Sequence, residues 1–566
     1  MTEPQKMHGA APLVLAHLWT AFALFVPAIL LGAWQMWVRS PWGHVSTPDV
    51  YYSSVTAHGS FFGYVFPTLM EMGFGYACCA VGLARPIRGT GWAWLGLLLV
   101  VVGSAAMFVA VISGNAPVLY TFYPPLTGSP WFYIGLISIV VGSWVWAALM
   151  LVNLALWKRD NPGKPVPLAM FMSVAATLVW LWTSIGVVTE LVYYILPVAM
   201  GWRTELDAGL TRVLFSWTLH GIVYFWLMPA YIAFYNLVPQ AAGGRVYSDT
   251  MGRLSFILFV VFAMPIGIHH LFADPQVGSG TKFLHTVFTL MIVVPTLLTV
   301  FSISASMEIA GRLHGGKGAF GWLLALPWKE PAVLAWFLSF VMLGFGGAGG
   351  LINMSYGMNA TVHNTQFVTA HFHMIYPGAV VIMYFIIIYE LWPKLTGRPL
   401  WSKRLARTQL WLWFIGIMVL TIPWHIAGLL GQPRRMAIYD YTDPAMARIA
   451  PWVTPSVIGG VIVALSAALL ILNMVFSHFP ARDEEMAPLQ FTMAVNPPAR
   501  VPAVLNGFGY WNVLLVVVLA VNYGIPFFQL LRLKHDHGVP GYRPGMHENS
   551  AEANPAVAVD RKEPQP

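Results

Sequence analysis

Runs of about 20 or more apolar residues recur along this chain. Thirteen can be read, centred near Phe25, Pro67, Val102, Val145, Trp182, Tyr224, Ala263, Val294, Ser339, Phe385, Met418, Ala464 and Val518. A helix of that length crosses the roughly 30 Å hydrocarbon core of a bilayer. Inside lipid the backbone must satisfy its own hydrogen bonds, which leaves only helices and closed barrels. A barrel would read as alternating segments of about 10 residues, a pattern these long runs do not have. Charged residues make up only 9% of the chain and hydrophobic ones 58%, against roughly 25% charged in a soluble domain. The first run extends from about Leu13 to Val38, too long for a signal peptide and without a cleavage site. The connecting loops are short and rich in Gly, Pro and Trp. The expected fold is therefore all-α: a polytopic membrane helix bundle of about 13 transmembrane helices. It forms one domain over 1–531, followed by a polar tail at 532–566 whose composition predicts disorder.

The formal charge of +8 requires no nucleic acid, because the basic residues sit in loops. Their distribution instead sets orientation in the bilayer. With the N-terminus inside, eighteen of the 30 Lys and Arg residues fall in inside loops, seven in outside loops and five in the tail. That bias predicts an outside C-terminus. The only cysteines, Cys78 and Cys79, are adjacent. They are poorly placed for a disulfide, match no zinc or redox spacing and read as small buried residues.

Histidines give the bundle its chemistry. The stretch HNTQFVTAHFHMIYPG, from His363 to Gly378, places His371 and His373 two residues apart in one predicted helix. At 3.6 residues per turn their side chains leave the helix about 200° apart. Two ligands of one metal sit more naturally at i, i+4, so this spacing suits two cofactors with the helix as their common wall. His58 lies about two turns below the outer end of the second segment, and His220 about three turns down the sixth. His269 and His270 lie within a turn of the outer end of the seventh, and His371 and His373 near the outer start of the tenth. All six thus fall in the outer part of the membrane, on four segments.

A lone intramembrane imidazole such as His58 can serve simply as a hydrogen bond to a neighbouring helix. Two adjacent ones, His269 and His270, are costly to bury without partners. Tyr224 follows His220 by four residues and shares its helix face. His17, His44, His285, His314, His425 and His478 lack such company and read as packing or interfacial residues. His220, His269 and His270 make a three-ligand site with an open position, as a reactive metal needs. Of the other three, one pair could fill both axial positions of a haem, and the last would hold a haem from one side only.

Four stretches carry a family resemblance: HGIVYFWLMPAYIAFY from His220, PIGIHHLFADP from Pro265, HNTQFVTAHFH from His363 and QPRR from Gln432. Together they resemble subunit I of the haem–copper oxygen reductases over nearly the whole chain. The particular resemblance is to the B family, the bacterial ba-type oxidases. It implies His58 and His373 as axial ligands of a low-spin haem, b-type, and His371 as proximal ligand of a high-spin haem, a-type or b-type. It implies His220, His269 and His270 as ligands of the copper ion CuB. Tyr224 would be covalently linked to His220 and would give an electron and a proton when the O–O bond breaks. His363, Asn364, Arg434 and Arg435 would bind haem propionates. The implied activity is reduction of O2 to water with electrons from cytochrome c, coupled to proton translocation, in the bacterial cytoplasmic membrane.

Protons must then reach the outer third from inside. Tyr224, Tyr231 and Tyr235 step inward along one face of the sixth segment, with Thr296 and Thr299 at similar depth in the eighth. The resemblance implies that these five form the proton path. Glu71 and Glu190 are intramembrane carboxylates and functional candidates by default, without a role assigned by the sequence. The acidic route of the A family has no evident counterpart, so a single input path is the simpler expectation. A binuclear copper centre accepting electrons from cytochrome c needs two nearby cysteines with His and Met in a soluble domain, and this chain has neither. A subunit II would supply it, or quinol would feed the electrons; the B-family resemblance favours the former. A nitric oxide reductase would use non-haem iron with glutamate and lack Tyr224. A di-haem carrier would not need His269 and His270. A secondary transporter would show internal repeats and polar breaks at the midplane, which are not seen.

Overall fold

The computed structural model describes residues 9–44, 47–275, 277–483, 486–532 and 538–540. Thirteen helical segments follow in order: α1 (Ala11–Val38), α2 (Pro48–Gly82), α3 (Thr90–Ile112), α4 (Pro130–Asp160), α5 (Leu168–Ala199), α6 (Ala208–Ala241), α7 (Asp249–Phe262), α8 (Ser279–Leu313), α9 (Pro331–Met354), α10 (Gln366–Thr396), α11 (Lys403–Leu429), α12 (Ala450–Phe476) and α13 (Gly509–Arg532). All but α7 are long and apolar enough to cross a membrane, so the described residues hold twelve such helices. The segment expected around Ala263 is present but broken. α7 ends at Phe262, and the chain resumes as a tight 3-10 turn over Gly267–Leu271. Pro265 lies between them, and proline can neither donate to a helix nor avoid the preceding carbonyl.

Local chemistry sets the helix ends. Proline stands in the first turn of α2, α4 and α9, where its missing N–H costs nothing. Side chains of Asp207, Ser248 and Ser402 accept from backbone N–H groups at 2.9, 3.2 and 3.1 Å and cap α6, α7 and α11. Three wide, π-type turns interrupt the long helices: Phe61–Val65 in α2, Leu191–Ile195 in α5 and Met374–Val380 in α10. The last contains Pro377. Strand Glu205–Asp207 pairs antiparallel with Gly538–Pro540. The rest of the tail beyond Arg532, read from sequence as disordered, lies outside the described residues.

Apolar surface gains little by leaving lipid for another helix, so close packing decides which helices touch. α3 and α4 meet through glycines. A Cβ on Gly103 would sit 2.5 Å from the Gly135 carbonyl oxygen, and one on Gly142 would sit 2.6 Å from that of Gly96. The two backbones touch along this seam. Gly103→Val is therefore expected to force α3 from α4 and to destabilise the protein by about 1–3 kcal/mol. A lowered thermal midpoint of the detergent-purified protein would show it, and an unchanged midpoint would contradict the seam.

Candidate functional site

α10 supplies the wall between two sites. His371 and His373 both lie in its regular first part, Gln366–His373, before the wide turn. His373 faces His58 of α2, with ring centroids 6.3 Å apart and planes within 2° of parallel. Each ring is tethered through Nδ1. His58 Nδ1 lies 2.7 Å from the Ala28 carbonyl, and His373 Nδ1 lies 2.9 Å from the Thr369 carbonyl. A ring N–H donating to a carbonyl fixes the tautomer and leaves Nε2 as the free ligand atom. Two imidazoles bound to one ion through nitrogens about 2.0 Å from it have centroids about 6 Å apart. The observed separation matches one ion between these rings. Gly32 of α1 makes room, since a Cβ there would meet His58 Cε1 at 2.8 Å.

A cavity surrounds this pair. Its sides are apolar and aromatic, with Phe62, Trp413 and Trp424 among them, and Arg434 and Arg435 also line it. That lining suits a flat apolar macrocycle with anionic groups at one edge. The arginine end is itself short of negative charge. Arg434 donates to Asn364 Oδ1 at 2.9 Å, and its backbone N–H donates to the Asn364 carbonyl at 3.1 Å. Asn364 adopts the left-handed conformation, φ +58°. The Nε atoms of Arg434 and Arg435 are buried without a partner. Burial, and then the neighbouring Arg435, lower Arg434 to about 10. Burial pushes the Tyr120 phenol up, but Arg434 and Arg435 outweigh it and hold that phenol below its usual value. His363 is lowered to about 4, by burial first and then by Arg434, Arg212, Arg435 and Lys282. Its Nδ1 lies 2.9 Å from Asn359 Oδ1. Guanidinium groups so arranged favour a carboxylate partner.

On the other side of α10, His371 Nδ1 lies 2.8 Å from the Gly346 carbonyl of α9. It is within electrostatic reach of His220. His220, His269 and His270 converge, with one ligating atom from each lying within 4.8 Å of the others. His220 Nδ1 is 3.2 Å from His270 Nε2, the spacing of two ligands about 2.0 Å from a shared tetrahedral ion. Past the break at Pro265, the 3-10 turn Gly267–Leu271 brings two consecutive histidines here, their ring centroids 4.3 Å apart. The Tyr224 ring lies 4.8 Å from the His220 ring between centroids. His220 Nε2 is buried and without a hydrogen-bond partner.

The inward path is only partly joined. Tyr235 donates to Thr299 Oγ1 at 3.5 Å. The Tyr231 hydroxyl lies near Thr296 but makes no hydrogen bond within 3.5 Å. Phe259 packs against both Tyr224 and Tyr231, at 6.0 and 5.2 Å between centroids. Ser255 and Ser302 lie beside Tyr235 and were not singled out by the sequence reading. Nor were the groups behind the three histidines. His269 Nδ1 lies 3.2 Å from Thr289 Oγ1, which donates at 2.5 Å to the carbonyl of His285. The i, i+4 spacing of His285 and Thr289 on α8 was the available signal. Glu71 and Glu190 are fully buried, and all four of their carboxylate oxygens lack partners.

Comparison with known proteins agrees with this geometry. The family described as Cytochrome C and Quinol oxidase polypeptide I matches residues 12–462. Cytochrome c oxidase subunit 1 of Thermus thermophilus is 38% identical over 506 residues, covering 87% of this chain and 88% of that protein. The corresponding subunit of Thermostichus vulcanus is 25% identical over 501 residues, 84% of each. A haem–copper terminal oxidase dimer solved by cryo-EM superposes with a TM-score of 0.90 at 29% identity, covering 95% of this chain and 96% of that one. The family implies haems and a copper centre, and the paired imidazoles and the three-histidine cluster fit such groups. A match across most of the chain, in sequence and in fold, shows that this chain belongs to the cytochrome c and quinol oxidase polypeptide I family, the catalytic subunits of terminal oxidases.

Proposed function

We propose that this oxidase subunit reduces O2 to water in the space between His371 and the three-histidine cluster, with electrons arriving through the His58–His373 pocket. His58 and His373 would hold a low-spin haem, and His371 would hold a high-spin haem. His220, His269 and His270 hold CuB. When bound, the haems and copper supply electron storage and an open position for O2. The observation that carries this reading is the placement of His371 and His373 on opposite faces of one helix. One is turned to His58 and the other lies within reach of the metal cluster. Absorption spectra of the reduced protein with and without carbon monoxide test it. A transporter would have no haem bands, and a di-haem carrier would show no carbon monoxide shift.

The protein's own residues then orient and supply protons. Arg434, Arg435, Asn364 and His363 would hold the propionates, which is supported by the unpaired Nε atoms of Arg434 and Arg435. Tyr224 stands against His220 and gives a proton and an electron to oxygen. A covalent bond between His220 Nε2 and the Tyr224 ring, formed with loss of the N–H and a ring C–H as two protons and two electrons taken by O2, is supported by their contact and by the free His220 Nε2. Tyr231, Tyr235, Thr296 and Thr299 bring protons from the inside. This single tyrosine path, with the resemblance of the histidine motifs, supports the B family. Cys78 and Cys79, buried side by side in α2, cannot form a binuclear copper centre. That supports a subunit II carrying one and cytochrome c as donor, as the names of the relatives suggest for those proteins. The loop charges and bacterial relatives support a bacterial cytoplasmic membrane, with the N-terminus inside and, when α7 and the turn after it together make a thirteenth crossing, the C-terminus outside. A main core cluster running from Ala10 to Leu530 supports a single domain over 1–531.

Four substitutions separate these roles. His58→Ala is expected to abolish the low-spin haem band and to keep the carbon-monoxide-reactive one; loss of the reactive band instead would reverse the assignment. His269→Ala or His270→Ala should leave both haems bound and lower copper by one atom per complex, read by elemental analysis. Unchanged copper would exclude these residues as its ligands. Tyr224→Phe nearly conserves packing, so both haems and copper should remain. O2 reduction should fall by about 100-fold or more, because the proton donor at the reacting centre is gone. Peptide mass spectrometry should show a linked His220–Tyr224 pair only in the unsubstituted protein. Full activity of the variant would favour a nitric oxide reductase instead.

A further inference from the structure

Glu190 ends the regular part of α5, fully buried, with neither carboxylate oxygen hydrogen-bonded. No step above uses it. A wide turn, Leu191–Ile195, begins at the next residue. A second wide turn, Phe61–Val65, carries Tyr64, which lies within electrostatic reach of the Glu190 carboxyl. Such turns recur at functional positions because they unsettle the regular hydrogen-bond ladder. The Tyr64 hydroxyl donates to the Tyr120 carbonyl. Tyr64 and Tyr120 line the same cavity as His58, His373, Arg434 and Arg435, and the Tyr120 phenol neighbours Arg435. Two tyrosines therefore stand between the buried carboxyl and the arginine end of the cavity.

We propose that Glu190 is a proton-storing acid of the low-spin haem pocket, with its charge coupled to that pocket through Tyr64. The inference rests on the pocket assignment above. An unpaired carboxylate is costly in an apolar interior, so the arrangement seen, with Tyr64 turned to Tyr120, is that of a neutral carboxyl. On release, the Glu190 O–H bond breaks, its electron pair stays on the carboxylate, and a water molecule takes up the proton. The carboxylate then acts through its charge on the Tyr64 hydroxyl, which lies within its electrostatic reach. An electron entering the pocket draws the proton back, since charges interact strongly at low dielectric. Glu71 provides a contrast. It is equally buried and unpartnered, but it lies near Tyr384 and Cys78, 13 residues along α2 from His58.

The purified oxidase complex can be examined by infrared difference spectroscopy between reduced and oxidised states, in H2O and D2O. The unsubstituted protein should show a carboxylic acid C=O band that responds to reduction of the low-spin haem and shifts in D2O. Glu190→Gln should lose that band, Tyr64→Phe should shift it and Glu71→Gln should keep it, each with low-spin haem absorption retained as the check on folding. Persistence of the band in Glu190→Gln, or its loss in Glu71→Gln, overturns the assignment to Glu190. A low-spin haem present without any responsive band overturns the storage role alone. Absence of the low-spin haem from the unsubstituted protein overturns the pocket reading, and this inference with it.

Discussion

A hydrogen bond from a ring nitrogen to a backbone carbonyl aims three of the six central imidazoles. His58 is held by Ala28, His371 by Gly346 and His373 by Thr369. In an apolar interior an unpaired N–H is expensive, so each ring turns until one nitrogen is satisfied. The other nitrogen is then presented in a fixed direction, with its lone pair free. Placing a ligand and satisfying a buried polar group are here the same event. The carbonyls come from three different helices, α1, α9 and α10, so correct assembly of the bundle is what orients the site.

Regular helices cannot do all of this, and the departures from regularity cluster where chemistry is needed. Pro265 ends α7 early and lets two successive histidines face one point. Wide turns follow His58, Glu190 and His373 within a few residues. Each shifts the helix face beyond it, so the residues that serve the site and those that serve inner packing need not keep one register. Gly32 acts by size alone, giving His58 the space that any side chain would fill.

Much of this was legible in the sequence because the signals are coarse. Long apolar runs fix the helices, and the depth of six histidines on four segments predicts a shared level. The i, i+4 spacing of His220 and Tyr224 predicts their contact. What remained hidden depends on where helices cross. Neither the spacing of His58 and His373 nor the role of Gly32 follows from either helix alone. Thr289 behind His269 joins segments that only the folded bundle brings together. Spacing puts the tyrosine stripe on one face of α6, yet Phe259 packs against it between Tyr224 and Tyr231. Hydropathy predicts one more helix around Ala263 because it does not register a break of four residues.

His371 and His373 have a consequence for rate as well as for placement. Both belong to the same regular stretch of backbone, so the groups proposed to sit on them are held apart by the width of one helix. Electron tunnelling falls steeply with separation, and a gap spanned by separate loops would vary as those loops moved. Here the donor and acceptor share a rigid mount. Flexing of the bundle, changes in lipid thickness and substitutions in distant helices move both together, and the tunnelling distance stays constant.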